Sequence, residues 1–232
     1  MSTTLAPPTP VAAPTAAEED AIFTIPGLSW DQYVAINDAL GDRGSLRVLY
    51  LAGRLTFVSP ASIHAEGEES LDTIIKAIAL GCGRPLRAIG STTLRRAGVA
   101  AGVEGDKVYY LDDNVAKIRG VRMLDLDVHP TPDLAIEVEN THNATDALAI
   151  YAQLGVPEVW RHDVRRGTMT FGLLGADGTY TAAPSSLAFP FLTPEDVLDQ
   201  VRRADEIRSY TEWAGPLADW VRDVIRPRLD PA

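Results

Sequence analysis

The chain of 232 residues contains a single cysteine, Cys82, few aromatic residues (7%) and no long hydrophobic run. One cysteine can form neither an intrachain disulfide nor a cysteine-based zinc site, and it fits the reducing cytoplasmic location that we expect. Because no apolar run approaches the ~20 residues that cross a bilayer, we expect no membrane partner. The hydrophobic fraction of 46% excludes disorder over the whole length.

Positive charge is also scarce, with 21 Lys and Arg against 32 Asp and Glu, for a net charge of -11. Proteins that hold nucleic acid through its phosphates usually present a basic surface. This charge balance therefore counts against simple nucleic-acid binding, although it does not exclude a local basic groove. It also leaves carboxylates available for a divalent cation.

Three regions follow from the composition along the chain. Residues 1–21 are rich in Ala, Pro and Thr and close on acidic residues, so we expect a disordered tail. Residues 22–205 alternate strand and helix patterns, which predicts one α/β or α+β domain with helices against a central sheet. Residues 206–232 form an amphipathic helical appendage that packs on this domain or on a second subunit. Its apolar residues at helical spacing are Trp213, Leu217, Trp220 and Val224.

Local signals place the elements of the domain. Residues 29–40 predict a helix with a Ser29–Gln32 capping box, and LRVLYLAGRLTFVS predicts a hairpin turning at Ala52-Gly53. The other predicted elements are a helix over 62–80, single strands over 86–96 and 103–111, a polar loop over 112–130, a strand in PDLAIEVEN, a helix over 143–154, strands in EVWRHDV, TMTFGLL and TYTAA, and a helix that begins at Thr193-Pro194.

The strand PDLAIEVEN carries three carboxylates on one face. Side chains alternate in a strand with a same-face repeat of ~7 Å, so Asp133, Glu137 and Glu139 point the same way. Like charges this close raise one another's pKa unless a cation or an arginine compensates them. The pattern also fits the solvated face of an edge strand, and both interpretations stay open.

A second acidic pair lies in GVEGDKVYYL, where Glu104 and Asp106 share a face and Lys107 points the other way. If this strand is a neighbour of PDLAIEVEN, up to five carboxylates converge. Oxygen ligands of this kind suit Mg²⁺, which takes one or two protein carboxylates together with water and substrate phosphate.

Three stretches together resemble the Uma-two family of restriction endonuclease-like proteins, within the PD-(D/E)XK nuclease superfamily. They are LAGRLTFVSPASIHAEG, GSTTLRRAGVAAGVEGDKVYYL and PTPDLAIEVENTHNATDALAIYAQLGVPEVWRHD. The resemblance runs over residues 28–201. It implies an α/β core with a curved, mixed central sheet flanked by helices, here with a C-terminal helical extension.

The resemblance also implies a site for metal-assisted hydrolysis of DNA phosphodiesters. Asp106 takes the place of the first acid, although Gly105 replaces the usual proline before it, and Glu137 takes the place of the second. Mg²⁺ or Mn²⁺ would be held by Asp106, Glu137 and a backbone carbonyl near Val138, where it would polarise the scissile phosphate.

The lysine of such sites is missing from both places where the resemblance puts it, which hold Glu139 and Ala147. Glu139 can stand in for it, as a general base or a second metal ligand. Alternatively the site is inactive, and the chain is a homodimeric nucleic-acid- or protein-binding regulator. A further alternative is that another residue fills the space. The candidates are Lys107, His64, His142 and Arg95.

The helix after SPAS and one strand end offer further site candidates. His64 and Glu68 lie four residues apart, and we keep His64 as a site candidate. We interpret Glu68 and Glu69 as acidic residues that complement the helix dipole. Arg95 ends a strand where it can touch phosphate, although a solvated arginine explains it equally well.

Overall fold

A computed structural model of the chain describes residues 19–41, 46–90, 92–121, 124–140 and 145–229. Within these ranges the chain forms eleven strands and six α-helices. The strands are β1 (Ala21–Pro26), β2 (Arg47–Leu51), β3 (Arg54–Ser59), β4 (Leu86–Gly90), β5 (Thr93–Arg96), β6 (Ala101–Glu104), β7 (Lys107–Leu111), β8 (Leu134–Glu139), β9 (Glu158–Asp163), β10 (Thr168–Leu174) and β11 (Tyr180–Ala183). The α-helices are α1 (Trp30–Leu40), α2 (Ser62–Gly81), α3 (Asp113–Lys117), α4 (Thr145–Leu154), α5 (Pro194–Ile207) and α6 (Tyr210–Trp220).

The strands form two sheets, and the chain passes from one to the other after β3, after β4 and after β6. One sheet has the order β1-β3-β2-β6-β5, and the other has the order β11-β10-β9-β8-β7-β4. The second sheet is mixed, because β8 and β9 run parallel while its other described pairs are antiparallel. The last of these passages, which we call the crossing, lies at Gly105 and Asp106, between β6 of the first sheet and β7 of the second. The predicted mixed α/β class is confirmed.

Helices cover both faces of the mixed sheet. On one face α2, α5 and α6 pack over Ile136, Val138 and Trp160. On the other face α4 packs over Ala135 and Val159. The whole of β8 is buried, so the interpretation of PDLAIEVEN as a solvated edge strand is wrong. Its carboxylates lie inside the protein and need partners.

Several predicted elements form as expected. Ser29 caps α1 and makes a capping box with Gln32, and Thr193 caps α5 with Pro194 in its first turn. The turn between β2 and β3 has positive φ at both Ala52 and Gly53, the geometry of the favoured two-residue hairpin turn.

Two predicted strands are wrong, because each is split between the sheets. Residues 86–96 form β4 in the mixed sheet and β5 in the other, and residues 103–111 belong to β6 and β7. Glu104 and Asp106 therefore do not lie on one continuous strand. In addition, the predicted loop 112–130 contains the short helix α3.

The C-terminal segment packs on the domain of its own chain. Its buried stripe consists of Trp213, Leu217, Val221 and Ile225, which join the core under α2 and α5, whereas Val224 is exposed. Residues 1–18 of the expected tail lie outside the described residues, and Ala21 already belongs to β1. No helix among the described residues combines the length and the apolar character needed to cross a bilayer.

Candidate active site

Asp106 is fully buried at the crossing between the two sheets. Its Oδ2 accepts a hydrogen bond of 2.6 Å from the backbone N–H of Val138. This bond ties the carboxylate to β8 immediately after Glu137. Of the two acids that the resemblance implied, Asp106 thus lies directly before β7 and Glu137 lies on the neighbouring strand β8.

The first turns of α2 bring two more ligand-type groups to Asp106. His64 Nε2 lies 3.3 Å from Asp106 Oδ2, and His64 is 1% exposed. One potential ligand atom from each of His64, Glu68 and Asp106 lies within 4.8 Å of the other two. Glu68, interpreted from the sequence as a complement to the helix dipole, is therefore part of this group. We call these three residues the acidic triad.

Arg47, at the start of β2, contacts every member of the acidic triad. Its Nη1 pairs with the Asp106 carboxylate and lies 3.2 Å from His64 Nε2, and its Nη2 lies 3.0 Å from Glu68 Oε2. No sequence pattern pointed to this residue, because an arginine on a strand with alternate buried residues resembles an ordinary solvent-facing arginine. It places a cation directly against Asp106, the first acid of the expected site.

Glu137 is buried on the α4 face of the mixed sheet. The Tyr151 hydroxyl of α4 donates a 2.6 Å hydrogen bond to its Oε1. Burial, together with the adjacent Glu137 carboxylate, raises the pKa of Tyr151 well above its usual value, so this hydroxyl stays a donor. Gly105 leaves room for the pair, since a Cβ there would overlap the Tyr151 hydroxyl.

Glu139 lies on the same face as Glu137 and is held by Arg161 of β9. The guanidinium contacts Oε1 through Nε at 2.7 Å and through Nη2 at 2.6 Å. At the second expected lysine position, Ala147 is 5% exposed in the core beneath α4.

Lys107 faces α2 and belongs to a second network beside the acidic triad. Its Nζ lies 2.8 Å from Asp72 and 3.7 Å from Glu68. Although burial of the ammonium opposes the change, the hydrogen bond to Asp72 and the surrounding carboxylates raise the pKa of Lys107. It is a cation bound to acids of α2, one of which also belongs to the triad.

The remaining sequence candidates lie elsewhere in the fold. Asp133 accepts hydrogen bonds of 2.7 Å from Leu111 N and Asn114 Nδ2, at the opposite end of β7 from Asp106. This position is at odds with the predicted convergence of five carboxylates. Arg95 pairs with Asp38 of α1 at 2.8 Å, and Glu104 ends β6 opposite Thr93. His142 lies outside the described residues.

Comparison with known proteins places the chain in a family. The family model described as "Uma2: Putative restriction endonuclease" matches residues 30–206, and the chain belongs to this family. A search of curated proteins finds no match.

A solved structure from Anabaena variabilis ATCC 29413, described as "a putative nuclease belonging to DUF820", shares the fold. It superposes with a TM-score of 0.52 at 13% sequence identity, over 75% of this chain and 99% of that one. The resemblance to a restriction endonuclease-like fold is thereby confirmed.

Proposed function

We propose that this protein is a metal-dependent nuclease that hydrolyses DNA phosphodiesters at the acidic triad and Glu137. The family supports a nuclease, and its description supports DNA as the substrate. The observation that carries the proposal is the meeting of Asp106 with His64 and Glu68 beside β8. Buried carboxylates and an imidazole that converge from separate elements are typical of a metal or catalytic site.

The acidic triad fits a divalent cation by its chemistry and spacing. It offers one imidazole nitrogen and two carboxylates within 4.8 Å of one another. Mg²⁺ prefers oxygen ligands, whereas imidazole suits transition metals, so a set that includes His64 favours Mn²⁺ over Mg²⁺. A bound cation would supply Lewis-acid stabilisation of the charge that develops on the scissile phosphate.

Arg47 takes the place of the missing lysine in this proposal. Its guanidinium contacts all three members of the acidic triad and its side chain is 16% exposed, so it can reach a substrate phosphate at the mouth of the site. A guanidinium offers bidentate hydrogen bonds to phosphate oxygens and keeps its charge at any working pH. Arg47 therefore supplies the fixed positive charge that stabilises the transition state.

Glu137 and Glu139 have separate roles in the proposal. Tyr151 orients the Glu137 carboxylate, which lies outside the group of atoms within 4.8 Å of one another and would serve as a further metal ligand from β8. Arg161 holds Glu139 in place, so proton transfer by Glu139 requires this ion pair to open. In this proposal Glu139 therefore contributes a fixed negative charge at the edge of the site. It does not abstract the proton of the attacking water.

A plasmid-nicking assay tests the proposed activity. We expect the wild type to nick supercoiled DNA faster with Mn²⁺ than with Mg²⁺, and Asp106→Asn and Glu137→Gln to lose at least about a hundredfold in rate. Asp199→Asn, which changes an exposed carboxylate on α5, is the matched control and should keep full activity. Cleavage that survives in both site variants would exclude the site.

Mn²⁺ affinity and hydrolysis rate, measured in the same variant, test the role of Arg47. In Arg47→Met we expect tighter Mn²⁺ binding, because a cation that competes for the triad is gone, but slower hydrolysis, because the phosphate loses its partner. Arg95→Met removes an arginine that pairs with Asp38 of α1, and it should change neither. If metal affinity and hydrolysis fall together in Arg47→Met, Arg47 is a structural support instead.

A second candidate function is nucleic-acid binding without cleavage. It is favoured by Ala147, whose buried methyl lies at one expected lysine position. This function predicts DNA binding in a gel-shift assay with no nicking in either metal. Binding that disappears above physiological salt would indicate contacts through phosphates alone.

A further inference from the structure

A cavity of ≈ 640 Å³ lies on the side of α2 that faces α5 and α6. Glu66, Gly67 and Ser70 of α2 line it, together with His162 of β9 and Trp213 of α6. Neither His64 nor Glu68 lines the cavity, so it is separate from the acidic triad although the same helix serves both. No part of the proposed hydrolysis uses it.

The floor of the cavity contains two buried polar atoms that lack partners. His162 is 5% exposed and Trp213 is 4% exposed, and their Nδ1 and Nε1 atoms make no hydrogen bond with any described residue. Most buried polar groups in proteins are hydrogen-bonded. Two buried nitrogen atoms without a partner beside one cavity therefore indicate that a ligand binds there. Gly67 packs against this floor, since a Cβ there would lie 3.6 Å from His162 Nδ1.

The rim of the cavity is acidic. The lining includes three carboxylates, those of Glu66, Glu69 and Asp205, and one guanidinium, that of Arg208, while Glu69 also lies 3.7 Å from Lys107 Nζ. Burial raises the pKa of Asp205 and the Glu66 carboxylate adds to this, while His162 and Arg208 oppose it. Carboxylates that repel one another in this way are stabilised by a cation between them.

The floor can accept a cation without repulsion. Burial lowers the pKa of His162, in spite of Asp205 and Asp163, so the imidazole is neutral near pH 7. The indole of Trp213 and the exposed ring of Tyr210 offer aromatic surface, which attracts organic cations.

We propose that this cavity binds a small organic cation, an ammonium or amidinium group on a flat apolar body. The charged group lies at the rim between Glu66 and Asp205, and the apolar body packs over Trp213 and Tyr210. The π face of this body accepts the Trp213 N–H. A nucleotide is the less favoured occupant, because its phosphate would meet the three carboxylates of the rim.

Calorimetry on the full chain with benzamidine as the probe tests the proposal, with neutral benzamide as the matched ligand. We expect benzamidine to bind several-fold more tightly than benzamide, and the Trp213 indole N–H signal in the NMR spectrum, assigned with Trp213→Phe, to shift on binding. The double variant Glu66→Gln with Asp205→Asn should reduce benzamidine affinity to the level of benzamide. Glu206→Gln with Glu212→Gln makes the same change in net charge away from the lining and should leave it unaltered.

Three results would overturn the proposal. They are equal affinity for benzamidine and benzamide, an equal loss of affinity in both double variants, and tighter binding of adenosine monophosphate than of benzamidine. None of these depends on nuclease activity, so the proposal stands or falls separately from the proposed function.

Discussion

Asp106 is the residue on which the candidate site depends. Its buried carboxylate has partners from three separate elements: Arg47 on β2, His64 on α2 and the backbone of Val138 on β8. A buried carboxylate is expensive unless it is paired and hydrogen-bonded, so these partners are also what makes the position tolerable for folding.

Only part of the site could be predicted from the sequence. Asp106 and Glu137 were identified through the family resemblance, and strand alternation put Glu137 and Glu139 on one face. Arg47 could not be found in this way, because its contact with Asp106 spans 59 positions of the chain and depends on how the two sheets meet. The same applies to Glu68, whose local context is an ordinary acidic helix start.

Removal of the Tyr151 hydroxyl tests how much its hydrogen bond stabilises the buried Glu137 carboxylate. Tyr151→Phe deletes the 2.6 Å hydrogen bond to a buried carboxylate, and we expect the free energy of unfolding to fall by about 1–3 kcal/mol. Urea denaturation measures this change. Tyr210→Phe, which alters an exposed ring, is the control and should leave the midpoint unchanged.

The buried His162 predicts how stability changes with pH. Burial lowers its folded-state pKa below the usual 6.5, so between the two values the unfolded chain binds more protons than the folded one. The contribution of His162 therefore makes stability fall as the pH is lowered through 6.5 toward the folded-state pKa. Above 6.5 both states are neutral and this contribution is flat.

Denaturation midpoints measured from pH 7.5 to pH 5 check this expectation. His162→Gln should show a shallower loss of stability on acidification than the wild type. His129→Gln, a change in a loop histidine that hydrogen-bonds the backbone of Asp125, should follow the wild type. Parallel curves for all three proteins would show that His162 is not the group responsible.

At the scale of elements, the crossing at Gly105 decides where the site forms. The pattern of GVEGDKVYYL continues across it without a break, which is why one strand was predicted. The break arises from tertiary packing, since Gly105 lies directly against Tyr151 of α4 and Glu137 of β8. Short-range signals, by contrast, predicted the Ser29–Gln32 capping box, the start of α5 and the β2–β3 turn correctly, because residues a few positions apart determine them.

A single methyl group tests this crossing. In Gly105→Ala the new Cβ would overlap the Tyr151 hydroxyl and lie 2.9 Å from Glu137 Oε1. We expect a loss of at least about 1–3 kcal/mol in unfolding free energy, as for other overpacked cores. In Gly98→Ala the Cβ meets nothing within 4 Å, so stability should change by less than about 0.5 kcal/mol in the same urea titration.

At the scale of the whole molecule, the C-terminal helix belongs to the core of the same chain. The sequence predicted the helical spacing of its apolar residues. It did not decide whether those residues pack on this domain or on a second subunit. The structure packs Trp213 and Leu217 of α6 against α2 and α5, and a Cβ at Gly81 of α2 would collide with Val221. Sequence periodicity shows which face of a helix is apolar but not which surface covers it.

Truncation of one buried side chain checks that packing. Leu217→Ala removes a fully buried group from the main core, and we expect unfolding to become easier by about 2–5 kcal/mol. Val224→Ala, on the exposed side of the same segment, should cost less than about 1 kcal/mol. Thermal denaturation followed by circular dichroism compares the two, and equal effects would mean that the stripe does not stabilise the domain.

The most direct test of the central claim is titration of the protein with Mn²⁺, followed by electron paramagnetic resonance of the free ion. The wild type should bind one Mn²⁺ at the acidic triad, and both Asp106→Asn and His64→Ala should lose that binding while Asp199→Asn retains it. Mn²⁺ binding of unchanged strength in Asp106→Asn would contradict the account.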